Sequence, residues 1–309
     1  MKKPIVFMFA GQGSHYYQMG RKLYEQNPTF KQLLQTADSL HKEITGLSIL
    51  DHLYNDRNKM IDPFRRTLLT HPSIFMVEYA LASVILKLGI IPDYVLGASL
   101  GEFAAATISG ILTFEEALRA VIFQAQMLES YCPPGSMTAI LHPYNLYDDL
   151  QLIKEKSECA AVNFPSHFVI SGTPDHLKTI ATFLQEQQLN YQELAVSHGF
   201  HSTLIDGAAT HILSLFGSIR LKPSQIPFIS CTYGGLFTPL SPHHFWDAIR
   251  LPIQFQKTID SMENKNNFTY LDVGPSGSLA TFVKYNLKKT SYSEVRALLT
   301  PFGSTIPLS

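Results

Sequence analysis

The chain of 309 residues carries 24 Lys and Arg against 25 Asp and Glu, a net charge of -1, with a pI near 6.9, so no general attraction draws it to nucleic acid or to an anionic membrane. Its three cysteines, Cys132, Cys159 and Cys231, are odd in number and widely spaced, which excludes a paired C-x-x-C zinc site and an even disulfide framework and points to a reducing, cytoplasmic setting. The length admits one large domain plus a smaller one, with a substantial core.

The start, Met1 to Ala10, superficially resembles a secretion signal, but its apolar run is short and meets Gly11-Gln12-Gly13-Ser14. Ile5 to Phe9 therefore reads as a buried first strand followed by a tight loop. Residues 17–40 read as mostly helical, broken at Pro28. Ser73 to Leu88 places Ile74, Val77, Leu81, Val84, Ile85 and Leu88 at helical spacing, with Pro72 as the entry signal and Gly89 as the stop. No segment reads as long enough to span a bilayer.

The run Ile90 to Leu96 reads as the next strand. It feeds Gly97-Ala98-Ser99-Leu100-Gly101, and the helix-forming Glu102 to Ala106 follows. A G-x-S-x-G between a strand and a helix is the context of a nucleophile elbow, where a serine sits on a sharp, strained turn and the flanking glycines leave room for it. Ser99 is accordingly the candidate nucleophile; as a bare helix N-cap it would need no second glycine. Thr113 with Glu116 forms a capping box for a helix to about Glu129, with Ala117, Val121, Gln124 and Leu128 on one face. Such alternation of strands and helices predicts an α/β fold with a largely parallel sheet.

From residue 131 to 196 the rhythm changes. Ser136 to Leu141, Cys159 to Asn163, Phe168 to Ser171 and Tyr191 to Val196 read as strands, and Tyr144 to Glu155 and Pro174 to Gln188 as helices. The order β-α-β-β-α-β is the ferredoxin-like split unit. Cys132-Pro133-Pro134-Gly135 and Ser197-His198-Gly199 bound it, so residues 131–196 read as a small inserted subdomain and residues 1–130 and 197–309 as the large catalytic domain. In the latter, Phe228 to Ser230 and Thr269 to Val273 read as strands and Gly277 to Leu287 as a late helix.

A serine nucleophile needs a base, and His201 in His198-Gly199-Phe200-His201-Ser202 is singled out by its company. Residues 9–14 (Phe-Ala-Gly-Gln-Gly-Ser), Gly97 to Glu102, Val162-Asn163-Phe164 before Val169 to Gly172, His198 to Ser202, and Asp272-Val273-Gly274-Pro275-Ser276 occur in the order found in malonyl-CoA:acyl-carrier-protein transacylases. The chain resembles that family over nearly its whole length, and most of all the free-standing acyltransferase homologues of polyketide pathways. The resemblance implies an α/β-hydrolase-like core. It implies Ser99 as nucleophile, His201 as base, and the backbone N–H groups of Gln12 and Leu100 as an oxyanion hole. It implies a carbonyl in the stretch Asp247 to Leu251, near Ala248, that orients the histidine. No metal and no cofactor are implied; the acyl group would arrive on the phosphopantetheine of a carrier protein or on CoA.

The departures from the family concern the acyl pocket. Malonyl-transferring members carry an arginine for the free carboxylate where this chain has Gln124, and a buried carboxylate without a cation is costly. The competing reading has Gln124 bridging helices while Arg119 or Lys284 supplies the charge. Ala98 replaces the usual histidine before the nucleophile, and His71 stands in Thr70-His71-Pro72-Ser73 where a glutamine is common, while His198 and Phe200 keep a malonyl-like motif. With Asn163 these residues are expected to shape the pocket. A neutral residue at the arginine position is what acyl hydrolases of these pathways show. The favoured expectation is thus a serine acyl hydrolase acting on acyl-carrier-protein thioesters in polyketide biosynthesis. The alternatives are a trans-acting malonyl-CoA or acyl-CoA transferase and, from another class, a non-catalytic carrier-docking module. Lys284, Lys288 and Lys289 either complement the dipole of the late helix or meet an acidic carrier protein.

Overall fold

The computed structural model describes residues 3–236, 241 and 243–306; Met1 and Lys2 of the basic start lie outside them. In chain order the strands that organise it are β1 (Ile5–Phe9), β2 (Tyr94–Gly97), β3 (Ser136–Ile140), β4 (Glu158–Phe164), β5 (His167–Gly172), β6 (Tyr191–Glu193), β7 (Phe228–Ser230), β8 (Gly235–Leu236), β9 (Thr269–Asp272) and β10 (Glu294–Ala297). Six form one sheet in the order β10-β9-β1-β2-β7-β8. Its ladders are parallel except for β7 with β8 at one edge. Because a strand alternates faces, Phe7 and Phe9 enter one apolar core while Val6, Met8 and Ala10 enter another on the opposite side. Both faces are covered, which explains why β1 reads as an unbroken apolar run.

The other four strands form an antiparallel sheet in the order β4-β5-β3-β6. With its helices this is the ferredoxin-like unit expected from the chain order. Ile140, Phe168 and Ile170 pack on its own helix Pro174–Glu186 through Leu177, Ile180 and Leu184. Met137, Ala139 and Val169, on the opposite face, join the core of the large sheet. Two backbone bonds stitch the units together, Val162 N–H to the Ile253 carbonyl and Ile253 N–H to the Ala160 carbonyl, both at 2.9 Å.

Several elements differ from expectation for identifiable reasons. The strand expected over Ile90 to Leu96 covers only Tyr94–Gly97, because pairing with β1 begins at Val6 opposite Tyr94 and Pro92 has no N–H to extend it. The helix expected over Tyr144 to Glu155 is split into Asn145–Asp149 and Gln151–Lys156 by the extended Leu150. The last small-sheet strand stops at Glu193 rather than Val196. Leu194 still donates to Met137, but Val196 turns back to the Leu194 carbonyl.

The helix expected to begin after Pro72 runs instead from Thr67 to Lys87 with Pro72 inside it. A mid-helix proline leaves the carbonyl four residues back, that of Leu68, without its usual partner. Here His41 Nε2 lies 3.0 Å from that carbonyl, and His41 Nδ1 lies 2.8 Å from the Leu47 carbonyl. A ring nitrogen from another helix thus stands where the helical N–H is missing. The 21 residues of this helix are also long and apolar enough to cross a membrane, contrary to the reading that no segment is. Its length comes from spanning the core, where nearly every side chain, including Glu78, is buried.

His41→Leu strips the Leu68 carbonyl of that partner. It should lower unfolding free energy by about 2 kcal/mol in chemical denaturation, without changing the secondary structure seen by circular dichroism.

Candidate active site

Ser99 stands between β2 and the helix Gly101–Ile108 with a left-handed φ of 56°, the strained conformation an elbow demands. The turn depends on close approach. A Cβ on Gly101 would lie 2.1 Å from the Phe9 carbonyl oxygen, so only glycine lets the elbow helix cross the end of β1. On the other side, a Cβ on Gly11 would fall 2.8 Å from the Ser99 Cβ. The loop after β1 is thereby held against the serine.

Ser99 Oγ lies 2.8 Å from His201 Nε2. His201 Nδ1 lies 2.7 Å from the Leu251 carbonyl oxygen. A carbonyl can only accept, so Nδ1 carries the proton and Nε2 presents its lone pair to the serine hydroxyl. The expected position of the orienting carbonyl, Ala248, is therefore corrected to Leu251. Ala248 lies inside the buried helix His244–Arg250, where carbonyls align with the axis, whereas Leu251 is the extended residue just past its end and turns its carbonyl toward the imidazole. The ring is further placed by His201 N–H, which donates to the Ile249 carbonyl at 2.9 Å, and by a left-handed φ of 59° at His201 itself. Nothing in the sequence motif signalled that second strained residue.

Burial pushes the His201 imidazole down to about 4, with Arg250 adding to the effect and the Leu251 bond opposing it. The imidazole is thus neutral near pH 7. Gln12 N–H and Leu100 N–H, expected as oxyanion donors, have no hydrogen-bond partner among the described residues. Gln12 is held by its side chain instead, Nε2 donating to Thr70 Oγ1 at 3.0 Å. The residue before that loop is anchored too, since Ala10 N–H donates to buried Glu78 at 2.6 Å. Burial raises the Glu78 carboxyl well above its ordinary range. Thr70 stands in the motif around His71 but was given no role, and Glu78 was not expected; both come from the long core helix.

Ser99 and His201 open onto a cleft of about 260 Å³ between the two sheets. Ala98, Gln12, Asn163 and Phe200 line it as expected, together with His167 and Gln192. Its apolar wall includes Met137, Ala139 and Val169 from the small sheet and Phe255, Leu279 and Phe282 from the large unit. No Lys, Arg, Asp or Glu is among the described residues that line it. Gln124, His71 and His198 do not reach the surface of the cleft. Gln124 Nε2 sits 3.4 Å from His71 Nδ1, and the His71 ring packs against Phe200 at 5.1 Å between centroids. His198 Nδ1 is 2.9 Å from Thr67 Oγ1. Burial, aided by neighbouring histidines, pushes His71 down to about 3, so it supplies no positive charge.

The base must be unprotonated to accept the serine proton. Reaction of Ser99 with a serine-directed fluorophosphonate should therefore be flat in rate from about pH 5 to 9 and fall toward pH 4 as His201 takes up a proton. An inflection near the ordinary imidazole value of 6.5 would contradict this environment.

Residues 6–301 match the acyl transferase domain family. The chain is 45% identical to the polyketide biosynthesis acyltransferase homolog BaeD of Bacillus velezensis, across 98% of this chain and 93% of that protein. It is 40% identical, with the same coverage, to the homolog PksD of Bacillus subtilis. Among solved structures, the acyltransferase domain from the second module of the salinomycin polyketide synthase superposes with a TM-score of 0.84 at 25% identity, over 98% of this chain and 70% of that one. A loading acyltransferase from the avermectin synthase shares the fold with a TM-score of 0.88 at 24% identity, over 98% of this chain and 96% of that one. Matched from residue 6 to 301 and alike over nearly its full length to these relatives, the chain belongs to the acyl transferase domain family.

Proposed function

We propose that this protein is a serine acyl hydrolase of polyketide biosynthesis, which removes uncharged acyl groups from acyl-carrier-protein thioesters. The observation that carries the reading is the Ser99–His201 pair at 2.8 Å opening onto a cleft with no Lys, Arg, Asp or Glu among the described residues that line it. In the reaction, Ser99 Oγ gives its proton to His201 Nε2 and attacks the thioester carbonyl. The N–H groups of Gln12 and Leu100 receive the developing oxyanion. The carbon–sulfur bond breaks, and the pantetheine sulfur leaves with the proton from His201. Water then gives a proton to the same nitrogen and attacks the acyl-serine, the proton returns to Ser99, and a free carboxylic acid departs. The Leu251 carbonyl stabilises the imidazolium in both halves.

The missing cation supports an uncharged acyl group. Arg119, one substitute for the absent arginine, is half exposed and paired with Glu115 at 2.9 Å. Lys284, the other, is exposed on the late helix. The free carboxylate of malonate would enter the cleft without a partner, a penalty of several kcal/mol. The transferase reading keeps one point in its favour: the family relatives are called acyltransferases. An intact reacting pair speaks against a docking module without catalysis.

In this reading residues 1–130 and 197–309 form the catalytic unit and residues 131–196 its small subdomain, and the enzyme acts in the cytoplasm without metal or organic cofactor. The carrier protein would approach the late helix, Ser278–Asn286, where Lys284 is exposed and Phe282 lines the cleft, and the segment after it, where Lys288 and Lys289 are exposed.

Protein mass after incubation with malonyl-CoA and with acetyl- or longer acyl-carrier protein tests the reading. Hydrolysis of the uncharged thioesters is expected, with weak loading from malonyl-CoA. Efficient malonyl transfer, with water a minor acceptor, would promote the transferase. Ser99→Ala should lose the acyl adduct and at least three decades of turnover. Gln124→Arg should raise malonyl loading and depress hydrolysis of apolar chains, because the longer guanidinium, extending past His71 toward the cleft, pairs with a carboxylate and is unpaired without one.

A further inference from the structure

Glu102, three residues beyond the nucleophile, is fully buried, and its Oε2 lies 2.5 Å from Nε2 of equally buried His244. Its other oxygen accepts from Ser230 Oγ at 2.9 Å, from Thr232 Oγ1 at 2.8 Å and from Thr232 N–H at 3.2 Å. Glu102 belongs to the helix that leaves the elbow, and its own N–H donates to the Ser99 carbonyl at 2.9 Å. His244 opens the short helix His244–Arg250. The next residue, Leu251, holds His201 Nδ1, and Ile249 within the helix holds His201 N–H. Ser230 and Thr232 flank the end of β7, and Cys231 between them donates to the Gly97 carbonyl at 3.1 Å. One carboxyl thus joins the segment that carries the nucleophile to the segment that holds the base, beneath the site and out of reach of substrate.

We propose that Glu102 and His244 form a positioning pair that sets the separation between Ser99 and His201. A buried carboxyl–imidazole pair is a poor device for stability, because desolvation offsets the attraction and apolar residues of similar volume often replace such pairs without loss. It is a good device for geometry. The carboxyl accepts donors fixed in direction, and proton transfer over a short contact tolerates little displacement; an error of about 1 Å lowers rate by on the order of a hundredfold. The inference rests on the reading of Ser99 and His201 as the reacting pair.

The test compares Glu102→Gln, Thr232→Val and the double variant Glu102→Leu/His244→Phe. The readouts are kcat and KM for a small neutral acyl thioester, the rate of Ser99 labelling by a fluorophosphonate, and the melting temperature. Glu102→Gln keeps the shape and an accepting oxygen and should stay within about threefold of the parent rate. Thr232→Val should lower kcat and labelling about three- to tenfold at unchanged KM. The apolar double variant should melt close to the parent, yet acylate about 10- to 100-fold more slowly. Parent rates in Thr232→Val, a loss carried by KM, or parent rates in a folded double variant would each overturn the proposal. Should the double variant not fold, Thr232→Val and the rescue by glutamine decide the question. An acyl adduct persisting in Ser99→Ala would instead remove the reading of the reacting pair beneath it.

Discussion

Ser99 and His201 meet because two segments far apart in the chain are each bent into a left-handed backbone conformation, at φ 56° and 59°, and pressed together at 2.8 Å. Each such non-glycine residue stores about 1–3 kcal/mol of strain, so neither turn would persist alone. The elbow is kept by the helix packed over it, where Gly101 meets the Phe9 carbonyl. The histidine is kept by two carbonyls of one short stretch, Ile249 and Leu251. The reactive geometry is therefore a property of the surrounding core and not of either motif.

The His201 imidazole is oriented by an amide carbonyl, where a catalytic triad would use a carboxylate. A carbonyl fixes the tautomer as well as an acid does, but it brings no full negative charge to stabilise the imidazolium. Burial then dominates and holds the ring neutral. The surroundings are uncharged as well: no Lys, Arg, Asp or Glu stands among the described residues that line the cleft, and buried His71, whose ring packs against Phe200, is also held neutral.

The small sheet belongs to the same design. One face is filled by its own helix and the other is turned toward the serine, so Met137, Ala139 and Val169 serve as acyl wall and as core. The backbone bridge between Val162 and Ile253 fastens that wall one residue beyond the Leu251–Pro252 turn that holds His201. The width of the acyl cleft and the placement of the base are thus controlled from one short stretch of chain.

The sequence by itself determined what depends on neighbouring residues. The strand–turn–helix around Ser99, the Thr113 capping box, the chain order of the small sheet and the glycine-flanked loop around Gln12 all follow from periodicity and turn chemistry within a dozen residues. Tertiary structure alone decided the rest. That Leu251 and not Ala248 holds the base depended on where a helix ends; that Pro72 lies inside a helix depended on His41 reaching across to the Leu68 carbonyl. Gln124 was legible as inward-facing, but its contact with His71, which in turn packs on Phe200, was not. The same holds for Glu102, which meets Thr232 across a separation of 130 residues. Such contacts are fixed by how helices and strands pack in register, and no local pattern of residue types encodes that distance.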